Sequence, residues 1–392
     1  MATHPSVAER LGRLAPDQRA AAMAPPGPVL CVAPAGSGKT TTLVARIAWL
    51  IDSGTPADTI CAVTFNRRAA DELAERLGSA LEPLGVDRGA VRVRTFHALG
   101  REMLRSAGIA VDPLVDRGPL LRRLFPTADR VRLRQLDDLV SRLKLDRGLR
   151  LADARDADPA VIPGLPEFVA YESAVQDSGG LDFDDLVVRA LALLQESSAA
   201  SSQWRAACAQ LLVDEVQDVD RTQLRLALTL AAPDNRIFLV GDDDQSIYGW
   251  RLADVRRVLA LADVLPGLRR IDLVTNYRCP GPVVRRAVRL IEVNQERFRK
   301  EVRAGPSSAG LLVLAPDSGG GEESLRLGAV PFHRERGSDP EQRILREVGL
   351  GGQILWDLGI KRLRLLTNHP THVPALQGFG MEIAECVRLP RP

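Results

Sequence analysis

Residues able to do chemistry fall at a few places in the chain. The first is Ala33-Pro34-Ala35-Gly36-Ser37-Gly38-Lys39-Thr40, with Thr41 beside it. An apolar run, Val29-Leu30-Cys31-Val32, precedes it, and Leu43, Ile47 and Leu50 follow at helical spacing. Strand, small-residue loop, Gly-Lys-Thr and helix together form a phosphate-binding loop. Gly36 and Gly38 let the backbone curl so that its N–H groups face phosphate oxygens. The helix N-terminus adds partial positive charge. Lys39 would reach the β- and γ-phosphates, and the Thr40 hydroxyl would ligand Mg²⁺. The first position of the strict pattern, usually glycine, is Ala33, which is small enough to serve.

The second place is Leu211-Leu212-Val213-Asp214-Glu215-Val216-Gln217-Asp218, an apolar strand ending in two carboxylates. Opposite a phosphate loop, Asp214 would hold Mg²⁺, directly or through water. Glu215 would orient and deprotonate the attacking water. A third strand, Arg236–Val240, runs into Gly241-Asp242-Asp243-Asp244-Gln245. Gln245 is a candidate γ-phosphate sensor. Tyr248, Trp250 and Arg251 follow in a polar loop. Aromatic residues are only 4% of the chain, so two beside a cation suggest a stacking platform for unpaired bases. Asn276-Tyr277-Arg278 adds a candidate transition-state arginine, Arg278, with Tyr277 available to stack on adenine. Gln18 could read the donor and acceptor edge of adenine.

These residues need a scaffold that brings distant loops together. Thr59–Phe65 and Val91–Leu99 read as further strands, separated by helical spacing. Strands alternating with helices predict a parallel α/β sheet, with ligands beyond the strand C-termini. Thr64-Phe65 and Thr95-Phe96-His97 fall at such ends. Residues 101–180 are Leu- and Arg-rich without a strand pattern and read as a helical insertion. Arg122, Arg123, Arg130, Arg132 and Arg134 read there as a solvated face. Asp182–Leu186 restarts helix, and Ser197–Ser202 reads as a turn. At 392 residues the chain predicts two to four domains. A net charge of +2 announces no global basicity, so any nucleic-acid surface is a local patch. Five scattered cysteines argue for a reducing compartment and against a zinc or disulfide frame. No run reaches membrane-spanning length, and the first residues lack signal-peptide features. The expectation is a cytoplasmic protein without membrane contact.

In order and spacing, Gln18, the phosphate loop, Thr64-Phe65, Thr95-Phe96-His97, Asp214-Glu215-x-Gln217-Asp218, Gly241-Asp242-x-x-Gln245-Ser246-Ile247-Tyr248 and Asn276-Tyr277-Arg278 closely resemble superfamily 1 DNA helicases of the UvrD/Rep/PcrA type, over residues 11–300. The resemblance implies a RecA-like P-loop NTPase core, ATP with Mg²⁺, and 3′-to-5′ movement on single-stranded or tailed duplex DNA. It implies that Phe65, Tyr248 and Trp250 touch bases, and that Thr64, His97 and Arg251 contact the strand. The domains expected are a RecA-like core from 1–100 and 181–268, the insertion 101–180, and a truncated second motor domain at 269–316. A flexible linker at 317–337 and a small α/β tail at 338–392 complete them.

The tail resembles the C-terminal end of GTP cyclohydrolase II over about fifty residues. Thr367 matches a GTP-contacting position there, and His372 stands where that family has lysine. That family's zinc cysteines lie upstream of the matching segment and are absent, since Cys386 is the one cysteine after residue 300. GTP cyclohydrolase activity is not expected. Three readings stay open: an ATP-dependent DNA motor, an ATP- and DNA-binding module without unwinding, and a non-functional truncated fusion.

Overall fold

The apolar runs form strands because every residue in them is buried on both faces. The computed structural model describes residues 3–246, 249, 252–305, 314–316, 323–325, 362–366 and 382–387. Strands β1 (Val29–Val32), β2 (Ile60–Thr64), β3 (Arg92–Thr95), β4 (Gln210–Val213), β5 (Ile237–Gly241) and β6 (Arg269–Asp272) make one sheet in the order β3-β2-β4-β5-β1-β6. All five pairings are parallel. A parallel sheet needs covered faces, and period-two alternation supplies both cores. Val29 and Cys31 point to one face with Leu43, Ile47, Leu73 and Leu77. Leu30 and Val32 point to the other with Leu99, Val187, Leu191 and Leu226. Each fully buried Leu, Ile or Val contributes about 1.5–3 kcal/mol.

Helices α1 (Pro5–Gly12), α2 (Pro16–Ala22), α3 (Lys39–Asp52) and α4 (Arg67–Leu81) cover the first face. Helix α5 (Phe96–Ser106) helps to cover the second. It begins inside the stretch Val91–Leu99 that the sequence reads as strand. The Thr95 side chain accepts from Ala98 N at 3.2 Å, and this N-cap turns Phe96 and His97 into the first helical residues. Between α5 and the second half of the sheet lie α6 (Arg117–Leu124), α7 (Arg130–Ser141), a π-helical turn Arg142–Asp146, α8 (Leu151–Arg155) and α9 (Leu165–Asp177). They enclose their own core of Leu120, Leu136, Val140, Leu143, Phe168 and Tyr171. This is the helical insertion, and its predicted arginine face is exposed. Helices α10 (Asp185–Glu196), α11 (Ser198–Ala207) and α12 (Arg221–Ala231) follow. The Ser-rich segment is therefore helix and not turn. Ser197 caps it by accepting from Ala200 N, and Trp204 is buried beneath it.

Strand β6 lies within the span expected to open a second motor domain, yet it pairs with β1 in the first sheet. Residues to 278, with 287–305, belong to that same compact unit. Two short strands, β7 (Thr275–Asn276) and β8 (Arg303–Ala304), pair in parallel within it. A second unit takes in Cys279–Arg286 and the described strands beyond residue 305. There β9 (Leu314–Pro316) pairs antiparallel with β10 (Glu323–Leu325), and β11 (Arg362–Leu366) pairs in parallel with β12 (Glu382–Val387). The linker expected at 317–337 falls almost wholly outside the described residues, as do Thr367 and His372.

Candidate nucleotide site

Strand order decides which loops meet. β5 lies between β1 and β4, so the loops leaving β1, β4 and β5 emerge side by side, and that leaving β6 emerges next to β1. The β1 loop is bound to its neighbours through its backbone. Ala33 N donates to Gly241 O at 2.8 Å, and Ala35 N donates to Asp242 Oδ2 at 3.0 Å. Gln18 Nε2 donates to Ser37 O at 2.7 Å, while Gln18 Oε1 accepts from Ala15 N. Asn276 Nδ2 donates to Ala35 O at 2.7 Å, and Tyr277 N donates to Gly36 O at 2.9 Å. Gly36 and Gly38 both have positive φ, +73° and +85°. A Cβ on Gly36 would lie 2.7 Å from Arg278 Cβ, so the loop is closed down upon the β6 loop. Gly38 caps α3, whose N-terminus begins with Lys39, Thr40 and Thr41.

Lys39 Nζ stands 3.5 Å from Glu215 Oε2. Glu215 takes a left-handed φ of +51° at the end of β4, which turns its carboxylate back to Lys39. Gln217 Nε2 donates to Glu215 Oε2 at 2.9 Å, and its Oε1 accepts from Asp242 N at 3.0 Å. Gln245 Nε2 donates to Asp242 Oδ2 at 2.6 Å. Asp242 thus joins the phosphate loop, the β4 end and Gln245. Burial and the neighbouring Glu215 push the Asp214 carboxyl up to about 7, with Lys39 opposing. The same two causes push Asp218 up to about 7.

The loop also fits a phosphate ligand and its cation. Ser37 Oγ, in the loop, is buried with no hydrogen-bond partner. Among the described residues no cluster of three His, Cys, Asp or Glu could cage a metal by itself. Mg²⁺ needs no such cage, because it binds through one or two protein oxygens, water and substrate phosphate. Thr40 and Asp214 would be those protein ligands.

The structure thus gathers Gln18, Lys39, Glu215, Gln245 and Arg278 around one loop, with Asp214 among them and Tyr277 exposed at its edge. The residues expected to meet DNA are placed less uniformly. Phe65 and His97 are half-buried beyond β2 and β3. Thr64 is fully buried, and its hydroxyl donates to Asn66 O at 3.0 Å, so it shapes the turn below any ligand surface. Tyr248, Trp250 and Arg251 lie outside the described residues. Sequence reasoning gave no role to Asn276, Gln217 or Asp242, which bind loop to loop. It also passed over Phe183, whose ring is exposed and stacks on His97 with centroids 3.9 Å apart. An aromatic among acids, Asp182-Phe183-Asp184-Asp185, was the available signal.

A phosphate loop, an Asp-Glu strand end and a parallel sheet define a P-loop nucleotide-binding protein. Residues 14–266 match the UvrD/REP helicase N-terminal domain, and the chain belongs to that family. It is 34% identical to DNA helicase II of Salmonella typhimurium over 300 residues, covering 73% of this chain and 41% of the relative. It is 34% identical to ATP-dependent DNA helicase Rep of Escherichia coli, covering 74% and 45%. For ATP-dependent DNA helicase PcrA of Leuconostoc citreum the identity is 32%, covering 70% and 38%. The chain therefore spans under half the length of these relatives. Residues 309–388 match GTP cyclohydrolase II.

Proposed function

We propose that this chain binds ATP with Mg²⁺ and hydrolyses it in response to DNA, as an ATP-dependent motor of the UvrD type moving 3′-to-5′ on single-stranded or tailed duplex DNA. The observation that carries the reading is the convergence of Lys39, Glu215, Asp242–Gln245 and Arg278 on the β1 loop. In the working site Lys39 neutralises the β- and γ-phosphates and Glu215 accepts a proton from the attacking water. Thr40 and Asp214 hold the Mg²⁺, which when bound offsets phosphate charge. Gln245 reports the γ-phosphate to Asp242. Arg278, exposed beside the loop, approaches the transferring phosphoryl group. Phe65, with His97 and Phe183, forms a face for unpaired bases beyond β2 and β3. The scattered cysteines suit a cytoplasmic setting. No helix among the described residues is long and apolar enough to cross a membrane.

A second reading, ATP- and DNA-binding without unwinding, is favoured by the end of the helicase match at residue 266 and the start of a different match at 309. A motor needs two domains that close on nucleotide and open again. ATP hydrolysis with and without single-stranded DNA, on wild type and Glu215→Gln, tests both. DNA-stimulated turnover, lost by two or more orders of magnitude in Glu215→Gln, is expected. Bound nucleotide without stimulated turnover would leave the second reading standing. No nucleotide binding at all would sink both.

A further inference from the structure

The chain has 52 Lys and Arg residues, and only four of them are Lys. Three fall among the described residues, and none is an ordinary surface cation. Lys39 sits in the phosphate loop. Lys144 lies in a buried ion network of the helical insertion. The third is Lys300, whose side chain is 1% exposed. Its Nζ lies 2.5 Å from Asp242 Oδ1, 2.5 Å from Asp243 Oδ1 and 2.9 Å from Asp244 Oδ2. A compact ammonium can meet three converging carboxylates where a planar guanidinium fork cannot. The residues before it complete the arrangement. Arg297 donates twice to Asp244, at 2.8 and 2.7 Å, and Phe298 N donates to Asp243 Oδ2 at 2.7 Å.

Three adjacent carboxylates, two buried and one half-buried, repel one another and lose solvation, so they hold a fixed geometry only with a cation among them. Asp242 spends its other oxygen, Oδ2, on Ala35 N and Gln245 Nε2. A chain of direct contacts therefore runs from Lys300 through Asp242 to the phosphate loop and to the candidate γ-phosphate sensor. We propose that Lys300 is a positioning residue for the nucleotide site, fixing Asp242 so that the phosphate loop, tethered at the Ala35 amide, and Gln245 are held in place for triphosphate. The segment at 297–300 thus acts on a site formed by residues more than fifty positions upstream.

The nucleotide arm of the test rests on the ATP reading above, while the structural arm does not. In the nucleotide-free protein, hydrogen–deuterium exchange is followed by mass spectrometry in wild type, Lys300→Met and Lys300→Met/Asp243→Asn. Lys300→Met should speed exchange in peptides covering 33–38 and 240–246 by about tenfold or more, the size of one lost charge-assisted hydrogen bond. Peptides covering 60–64 should exchange as in wild type. Removing one carboxylate in the double variant should return part of the protection. Affinities for a non-hydrolysable ATP analogue and for ADP are then compared. Lys300→Met should lower the ratio in favour of the triphosphate, where a loss of fold would weaken both alike. Unchanged exchange at 33–38 and 240–246 would overturn the proposal whatever nucleotide does. So would a rise spread equally over 60–64, which would make Lys300 only a support of the fold. Wild type that binds neither nucleotide would reject the ATP reading, while the exchange result would still decide the role of Lys300.

Discussion

At the scale of single residues, the site is held by backbone geometry as much as by charged groups. Gly36 has a φ of +73°, which L-residues with a Cβ adopt at a cost of about 1–2 kcal/mol. Its missing Cβ is also the space into which Arg278 Cβ and Asn276 Oδ1 come close. Gly36→Ala is expected to weaken nucleotide binding by about tenfold or more. Titration with a fluorescent nucleotide checks this, and Gly12→Ala, whose added Cβ meets nothing, is the control. The types and spacing of Lys39, Thr40, Asp214 and Glu215 made them candidates in the sequence, and the fold brings Lys39 and Glu215 within 3.5 Å. Asn276 and Gln217 were not legible, because a side-chain amide that ties one loop to another looks like any solvated amide until the loops are folded together. The sequence signal at Lys300 is a lysine in a chain whose cations are nearly all arginine.

At the scale of elements, helix caps and buried ions explain where the sequence reading and the fold part. A serine run reads as turn by composition, but Ser197 is an N-cap and Trp204 anchors the helix that follows. The acidic stretch Asp182-Phe183-Asp184-Asp185 is neutralised by two cations of the helical segment. Arg117 pairs with Asp182 and Asp184 at 2.7 Å, and Lys144 meets Asp182, Asp185 and Glu172 at 2.7–2.9 Å. This network fastens the helical insertion to the start of α10 and sets Phe183 beside His97. The two cations hold the Asp182 carboxyl well below the usual carboxylate range despite its burial. Lys144→Met would leave those carboxylates without their cation and should cost about 3–5 kcal/mol of stability. Urea denaturation measures the loss, and Lys144→Met/Asp185→Asn should recover part of it.

At the scale of the whole molecule, pH should act through carboxyls that the fold has stripped of water. Asp214, Asp218 and Asp220 are each pushed up to about 7, chiefly by burial. Between about pH 4, where these groups titrate in the unfolded chain, and pH 7, the folded state holds protons that the unfolded state has lost. Stability of the nucleotide-free protein should therefore be highest at the acid end of this window and fall as pH rises through 7. Melting curves at pH 5.5 and pH 8, in buffers of equal ionic strength, check the sign. Added Mg²⁺ and ATP should raise the melting temperature more at pH 8, where ionised Asp214 gains most from a cation. A flat profile would mean that these carboxyls are ionised throughout.

The sequence by itself determined the parallel α/β class, the phosphate loop with its Lys and Thr, the Asp-Glu pair and the helical insertion. Each is written in contiguous residues whose spacing matches a local physical requirement. Tertiary structure decided what no local pattern holds. It placed β6 in the first sheet, turned the end of the Val91–Leu99 stretch into the start of a helix at Phe96, and buried Thr64 under the surface it was expected to share. It also brought Asn276 and Asp242 to the phosphate loop, and Gln217 and Lys300 to Asp242, from four separate segments. Those contacts depend on strand order, and strand order is fixed only when both faces of the sheet are covered.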